Sequence, residues 1–278
     1  MVPDSAGWFR GAGSVAYWDV KVNLRGRRLW IVTALILVAF LGPVFGLSEL
    51  LLPLGPGATS GYIVWLVGIV VPVLAGTMSY DTISRERATG SLEMLLARPL
   101  SRPGLAVGKF LGAFVSVTLP LLLVAPAAIL AIHVLTGVWP GPAFSAILLL
   151  GTVGLAALYI LVGEMFSALT KTSAGALVSA GIVWLLFSFL WSPATVGVQA
   201  VLRVDSSLPG FPTLSTMAAL FNPTGVYNVV VLAFLPGGSG PAFGSVGGLP
   251  TWLAIIAWLV WFLVLMALAI GAVHRRTE

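Results

Sequence analysis

The sequence predicts an all-α membrane protein that crosses the bilayer six times, and three observations support this fold class. Hydrophobic residues make up 59% of the 278 residues and the mean hydropathy is +1.06, whereas soluble domains are roughly 45–50% apolar. Charged residues make up only 8%. The apolar residues also gather in windows of about 20, the length of helix that crosses a hydrocarbon core about 30 Å thick.

Six such windows occur along the chain. They cover residues 29–50, 61–80, 105–134, 144–169, 173–191 and 251–273. The polar and basic segment before the first window argues against a cleaved signal peptide. Within it, residues 8–28 mix aromatic, aliphatic and basic side chains, which is typical of an amphipathic helix in the membrane interface beside anionic lipid head groups. The alternative is a partly ordered basic segment that precedes the first span.

The basic residues indicate which side of the membrane holds the termini. Six spans place both termini on one side, which also receives 13 of the 14 lysines and arginines and leaves Arg203 for the other. By the positive-inside rule both termini are cytoplasmic, in a multi-pass protein of the cell membrane. The net charge of +5 is therefore ascribed to topology, and no nucleic-acid partner is predicted.

The predicted outer loop, residues 192–250, contains a second apolar stretch at 214–236. A seventh span there would send the basic C-terminal residues outside and would carry Asn222 and Pro223 into lipid. We therefore predict a short outer helix or a re-entrant segment. The glycine- and proline-rich residues 237–250 are predicted to connect it to the last span.

Between the second and third spans the chain is unusually charged. Seven ionised side chains in lipid would cost about 3 kcal/mol each, so residues 81–103 are predicted to form a cytoplasmic loop. Within the loop, three leucines recur at helical spacing between Gly90 and Pro99, which predicts a short amphipathic helix. The leucines are Leu92, Leu95 and Leu96. They could pack on the membrane surface, on the bundle itself or in a groove of another protein.

The run from Tyr80 to Gly112 resembles the segment between the second and third spans of ABC-2 type transporter permeases. The residues that carry the resemblance are Tyr80, Asp81, Ile83, Glu86, Gly90, Leu92, Leu95, Leu96, Pro99, Leu100, Arg102, Gly108, Lys109, Phe110 and Gly112. The tyrosine before the aspartate is most similar to the branch that includes the permeases of nitrous-oxide-reductase maturation and copper systems. The basic N-terminal segment, residues 166–177 and Asn222-Pro223 extend the resemblance over nearly the whole chain.

The resemblance implies that the loop is a coupling element that docks on a separate ABC ATP-binding subunit. The implied docking residues are Asp81, Arg85, Glu86, Arg87, Gly90, Leu92, Glu93, Leu95, Leu96, Arg98, Pro99 and Arg102. It further implies two ATP-binding subunits that hold ATP and Mg, a second permease copy (a homodimer or a close paralogue), and export as the usual direction. Without the resemblance, a solvated loop whose charges only fix topology would explain the same residues.

This chain is not predicted to bind a cofactor or to be an enzyme. Gly108-Lys109-Phe110 lacks the upstream glycine and the following hydroxyl of an ATP-binding P-loop. There is no cysteine, and His133 has no second ligand at metal-binding spacing, so neither a metal site nor a catalytic residue is predicted. The alternatives to a permease are a membrane assembly or maturation component that does not transport, a secondary transporter and, less favoured, an intramembrane enzyme.

Two polar residues are candidates for a gate or a transport pathway. Glu164 is the one carboxylate inside a predicted span away from its ends, and intramembrane acids are functional candidates by default. It lies seven residues, about 10 Å of helix rise, before Lys171, so the alternative is an ion pair with Lys171 or with a basic residue of the N-terminal helix. Asn222, in the outer loop, is the second candidate.

Overall fold

Helices dominate the structure, a computed structural model that describes residues 5–90, 101–204, 207, 210–235 and 249–276. In chain order they are α1 (Ser5–Arg25), α2 (Arg27–Gly46), α3 (Ser48–Leu51), α4 (Gly55–Ser79), α5 (Ser84–Ala88), α6 (Arg102–Thr136), α7 (Pro142–Leu169), α8 (Ser173–Leu185), α9 (Trp191–Val201), α10 (Phe211–Leu220), α11 (Pro223–Leu232) and α12 (Thr251–Arg276). Among the described residues, six helical segments are long and apolar enough to cross a membrane, which confirms the predicted fold class. They are α2, α4, α6, α7, the α8–α9 pair and α12.

The centre of the bundle is formed by α4 and α7, which are the most buried spans and pack against each other and against α6. Their contact faces carry fully buried aliphatic side chains such as Val67 and Leu155. Gly163 lets α7 approach α4 closely, because an added Cβ at this position would overlap Ser79 of α4. The spans α2, α8–α9 and α12 lie outside this centre and leave most of their apolar surface exposed.

Three span boundaries differ from the prediction by four residues or more, and one of them is the end of the first span, at Gly46 rather than at residue 50. The second span begins at Gly55 rather than at residue 61, after a turn in which Gly55 has φ +86°. The fifth span does not end at residue 191, because the chain continues through a π-helical turn, Leu186–Leu190, into α9. Ser192 and Pro193 lower the hydropathy there. Pro193 also has no N–H to donate to the carbonyl four residues back, and a widened turn accommodates that gap.

The apolar stretch after the fifth span forms two short helices, α10 and α11, of ten residues each. Each is about 15 Å long, half of what a membrane crossing needs. The helix breaks at Asn222, whose backbone is extended (φ −129°, ψ 123°). Of the pair, α11 is buried against α4, α7 and α12. This geometry favours the predicted outer or re-entrant segment over a seventh span, while most of residues 237–250 lie outside the described residues.

The N-terminal helix α1 packs along the first half of α6. Val15 of α1 also joins a buried cluster with Ile83, Leu105 and Val273. Both near-terminal segments and residues 80–90 therefore lie at one end of the bundle, which we call the loop end, and α10 and α11 lie toward the opposite, far end.

Candidate functional site

Residues 80–90, at the loop end, are bound to the rest of the chain at three places. The first is Arg28 at the start of α2, whose Nη1 lies 2.7 Å from Asp81 Oδ2. Arg28 also donates to the Thr77 carbonyl, and its guanidinium lies 5.0 Å from the centre of the Tyr80 ring. These contacts tie the end of α4 to the beginning of α2.

The second place is Lys109 of α6, which is only 3% exposed. Its Nζ lies 3.0 Å from Asp19 Oδ1 on α1 and donates to Glu86 Oε1 on α5. A buried ammonium needs such partners, because removing it from water unpaired would be very costly. Burial raises the pKa of the Asp19 carboxyl, and the Lys109 charge and hydrogen bond oppose that rise. One cation thus holds three separate elements together.

Glu164 of α7 lies beside the same charges. It is 1% exposed, its Oε1 has no hydrogen-bond partner within the described chain, and the charges that act on it are those of Lys109 and Asp19. The predicted ion pair with Lys171 is wrong: Lys171 is exposed in the connector after α7 and forms no ion pair with any described residue. The positive charge that acts on Glu164 comes from Lys109 of α6 and not from a basic residue of the N-terminal helix, whose Asp19 adds a negative charge. We call Asp19, Glu86, Lys109 and Glu164 the buried charge cluster.

The third place is the carboxyl end of α7. Arg87 donates to the carbonyls of Thr170 (3.0 Å) and Ala168 (3.2 Å), which the last turn of a helix leaves without intrahelical partners. The Ser167 hydroxyl accepts hydrogen bonds from the backbone N–H groups of Ile83 and Ser84, both at 3.0 Å. Residues 83–87 are therefore fixed on the end of the central helix α7.

The other predicted docking residues divide into two groups. Arg85 and Gly90 are exposed, and Gly90 has φ +73°, a conformation that favours glycine. Arg102 begins α6. Six of the predicted docking residues lie outside the described residues: Leu92, Glu93, Leu95, Leu96, Arg98 and Pro99. The docking role stays a prediction, but Asp81, Glu86 and Arg87 now have intrachain partners, so they cannot serve only as contacts for another protein.

Lys109 and Asp19 were missed as site residues at the sequence level. In the sequence, Lys109 contributes to the predicted topology, to the family resemblance and to the exclusion of a P-loop, but it is given no site role, although it follows Gly108 inside an apolar helix. An ionisable residue inside a membrane helix is expected to have a partner, and this signal could have pointed to Lys109. Asp19 gave no comparable signal, since it lies among basic and aromatic residues of α1.

The packing of α1 on α6 depends on two glycines spaced four apart, Gly108 and Gly112. A Cβ on Gly108 would lie 2.8 Å from the Ala12 carbonyl oxygen, and one on Gly112 would lie 2.6 Å from Asp19 Cβ. Small residues at this spacing let two helices approach closely. The Asn23 amide adds a hydrogen bond of 3.2 Å to the Ser116 hydroxyl one helical turn further along.

We expect Gly112→Ala to destabilise the folded protein by about 1–3 kcal/mol, because the methyl group must push α1 and Asp19 away from Lys109. Thermal unfolding of the detergent-solubilised protein measures this change. The matched control is Gly42→Ala in α2, where an added Cβ has no atom within 4 Å. Equal unfolding temperatures for the two variants would contradict the close packing.

The second gate candidate, Asn222, joins the two short helices α10 and α11 to the fifth span. Its Oδ1 caps α11 by accepting from the Thr224 N–H at 2.9 Å, and its Nδ2 donates to the Phe187 carbonyl at 2.7 Å. Phe187 lies in the π-helical turn. Two indole N–H groups bind the end of α10 nearby, Trp191 to Ala218 O and Trp261 to Leu220 O, both at 3.1 Å.

Replacing Asn222 separates its two roles. Asn222→Ser keeps an oxygen for the helix cap but loses the bond to Phe187, whereas Asn222→Leu loses both. We expect the free energy of unfolding to fall by about 1 kcal/mol for Asn222→Ser and by about 2–3 kcal/mol for Asn222→Leu, as measured by thermal unfolding. If the two variants were equally stable, the cap would contribute nothing.

The described residues hold no group of three or more histidine, cysteine, aspartate or glutamate side chains placed to bind a metal ion. His133 instead stacks on Trp139, with ring centres 3.9 Å apart. A helical bundle with six segments long enough to span a membrane, and a charged segment fixed to the ends of those helices, defines a class, the polytopic membrane protein.

Comparison with known proteins identifies the family. A family model described as ABC-2 family transporter protein matches residues 14–277, so the chain belongs to the ABC-2 transporter family. A probable ABC transporter permease protein NosY from Stutzerimonas stutzeri is 34% identical over 235 residues, which cover 79% of this chain and 80% of that protein. Its counterpart from Pseudomonas aeruginosa is 29% identical over 233 residues, with the same coverage. The chain is thus a permease of the branch that includes these NosY proteins.

Proposed function

We propose that the chain is the permease subunit of an ATP-driven exporter of the cell membrane, with both termini in the cytoplasm. Two copies, identical or closely related, would work with two ABC ATP-binding subunits that bind ATP and Mg. The loop at residues 81–103 would dock on an ATP-binding subunit, and this chain would contribute no catalytic residue.

The observation that carries this proposal is the position of Lys109 between Asp19 and Glu86. A force applied to residues 80–90 from outside the bundle would pass through Lys109 into α6 and α1. Through Arg87 and Ser167 the same force would reach the end of α7, and α4 continues directly into the segment. With these attachments, the docked loop and the central spans would move together as one rigid body, and the loop would not bend independently of them.

The exposed part of the segment suits contact with a partner. Arg85 lies on the outside of α5 and forms no side-chain bond with any described residue. An exposed basic side chain next to an anchored segment can set the register of docking, because charge complementarity fixes orientation more than affinity. The fixed residues Asp81, Glu86 and Arg87 would keep this surface in place.

The test is co-expression of the full chain with an ABC ATP-binding subunit encoded beside it, followed by purification in mild detergent. We expect a complex with two copies of each subunit by native mass spectrometry and ATP hydrolysis that the permease alone lacks. Purification of the chain without the ATP-binding subunit would contradict the proposal. It would favour the alternative, a membrane assembly or maturation component that does not transport.

A further inference from the structure

A cavity of about 260 Å³ lies at the far end of the bundle, away from the buried charge cluster. Its walls come from α4, from the fifth span beyond the π-helical turn, and from α10 and α11. Of its 19 lining residues, nine carry a hydroxyl or an amide: Ser188, Ser192, Thr195, Gln199, Ser215, Thr216, Asn222, Thr224 and Asn228. None of the 19 is ionisable.

Nearly half of this lining is polar, and the polar residues come from two parts of the chain. Four of them, Ser188, Ser192, Thr195 and Gln199, lie on the fifth span, which is long and apolar enough to cross a membrane, where polar groups are costly and tend to be functional. The other five lie on the shorter helices α10 and α11 and at the break between them. Some of them are used by the fold: Asn222 holds Phe187, and the Thr224 hydroxyl pairs with Tyr159 at 2.9 Å. The fold therefore accounts for only part of the lining.

Other polar groups of the lining have no partner within the described residues. The buried Oδ1 of Asn228 is one such atom. On α9, the exposed Ser192 and the half-buried Gln199 line the same cavity, and their side chains take part in no described hydrogen bond. Together these groups offer both acceptors and donors, so a molecule in the cavity could form several hydrogen bonds. A buried polar atom without a partner, such as Asn228 Oδ1, is rare and commonly marks a bound water, ion or ligand.

The chemistry of the lining limits which molecules fit. An ion that entered would meet no opposite charge in the lining, which disfavours metal cations and phosphates. Cysteine and methionine, the soft ligands that suit copper, are absent from the lining. Four aromatic residues, Trp65, Phe187, Trp191 and Phe211, add flat apolar surface. Aromatic faces beside hydroxyl and amide groups suit an organic molecule with both apolar and hydrogen-bonding parts.

We propose that this cavity binds the transported molecule and that this molecule is an uncharged organic compound bearing hydroxyl or amide groups. This inference rests on the proposed function, since it takes the bound molecule to be the cargo. The place of the cavity fits that role, because its wall includes the π-helical turn of the fifth span, and such turns occur frequently at functional sites.

The chain contains no cysteine, so single cysteines can report on the cavity without any background. The test places Ser192→Cys in the complete permease, in membrane vesicles, and measures its reaction rate with three methanethiosulfonates of similar size: hydroxyethyl, trimethylammonioethyl and sulfonatoethyl. The control is Val201→Cys at the end of α9, where the side chain is 82% exposed. Rates at residue 192 are divided by rates at residue 201 for each reagent.

We expect the neutral hydroxyethyl reagent to be favoured over both charged reagents by at least about tenfold after this correction. A second variant adds Gln199→Glu to Ser192→Cys, and the new carboxylate should raise the relative rate of the cationic reagent several-fold. Equal corrected rates for all three reagents, or a cysteine at 192 that no reagent reaches while 201 reacts, would overturn the inference. These rates need no ATP-binding subunit, so failure here is distinguishable from failure of the co-purification test.

Discussion

Lys109→Met is expected to destabilise the folded protein by about 3–5 kcal/mol, the usual result of removing one partner from a buried charge pair. Methionine fills a similar volume, so the loss comes from Asp19 and Glu86, whose side chains are only 23% and 20% exposed and would be left without their cation. Thermal and denaturant unfolding in detergent measure the change. Because Lys109 holds three elements together, we expect the same variant to lose ATP-dependent transport.

Removing the carboxylates should partly restore the variant. In Lys109→Met/Glu86→Gln, one of the two carboxylates left without a cation becomes a neutral amide. We expect this double variant to recover about half of the lost stability. Acid should have a similar effect. In the folded protein burial already raises the pKa of Asp19 above its ordinary value of 3.8, and without Lys109 it should rise further. The loss of stability should therefore be smallest in acid, grow as the pH rises from the ordinary pKa of 3.8 toward the raised pKa, and stay constant above it. A loss of stability that did not depend on pH would show that unpaired carboxylates are not its cause.

Arg85→Glu is expected to lower ATP-dependent transport by about tenfold or more, while the permease itself remains as stable as the wild type. The side chain is exposed, so the reversal costs the fold little. In a docked complex it would place a negative charge where a positive one is needed, and about 1.4 kcal/mol in docking corresponds to a factor of ten. Transport in vesicles and the affinity of the ATP-binding subunit for the permease are the two measurements.

The control for Arg85→Glu is a charge reversal at an exposed site far from the loop. Glu49→Lys in α3 meets this need, because the side chain is exposed and forms no ion pair with any described residue. Transport should be unchanged in the control. If Arg85→Glu were as active as the control, docking through this side of α5 would be ruled out.

The spans were predictable from the sequence because each depends on local composition. A run of about 20 apolar residues has few alternatives to a membrane helix, and among the described residues each of the six predicted windows corresponds to a helical segment long and apolar enough to cross a membrane. The boundaries were less certain, since Ser192 and Pro193 lower the hydropathy although the helix continues past them. Nothing local in the sequence indicates that a π-helical turn will accommodate the proline.

The charged site was only half predictable. The charge pattern of residues 81–102 indicated a segment outside the lipid, but the partners of these charges are distant in sequence. Glu86 and Lys109 are 23 residues apart, and Lys109 and Asp19 are 90 apart. Such pairs depend on how helices cross, which hydropathy does not reveal. The error over Glu164 has the same origin: Lys171 is close along the helix, whereas the charge that acts on Glu164 comes from the neighbouring helix α6.

The most direct test of the account is whether residues 80–90 move together with the bundle when ATP binds. Two exposed positions on opposite sides of the anchoring contacts, Ala88 and Lys171, can each carry a spin label in this cysteine-free chain. In the complex with its ATP-binding subunits, the account predicts that the distance between labels at 88 and 171 is the same with and without ATP. The distance between the two copies of residue 88 should change. A distance between 88 and 171 that changes on ATP binding, with the copies fixed relative to each other, would contradict the account.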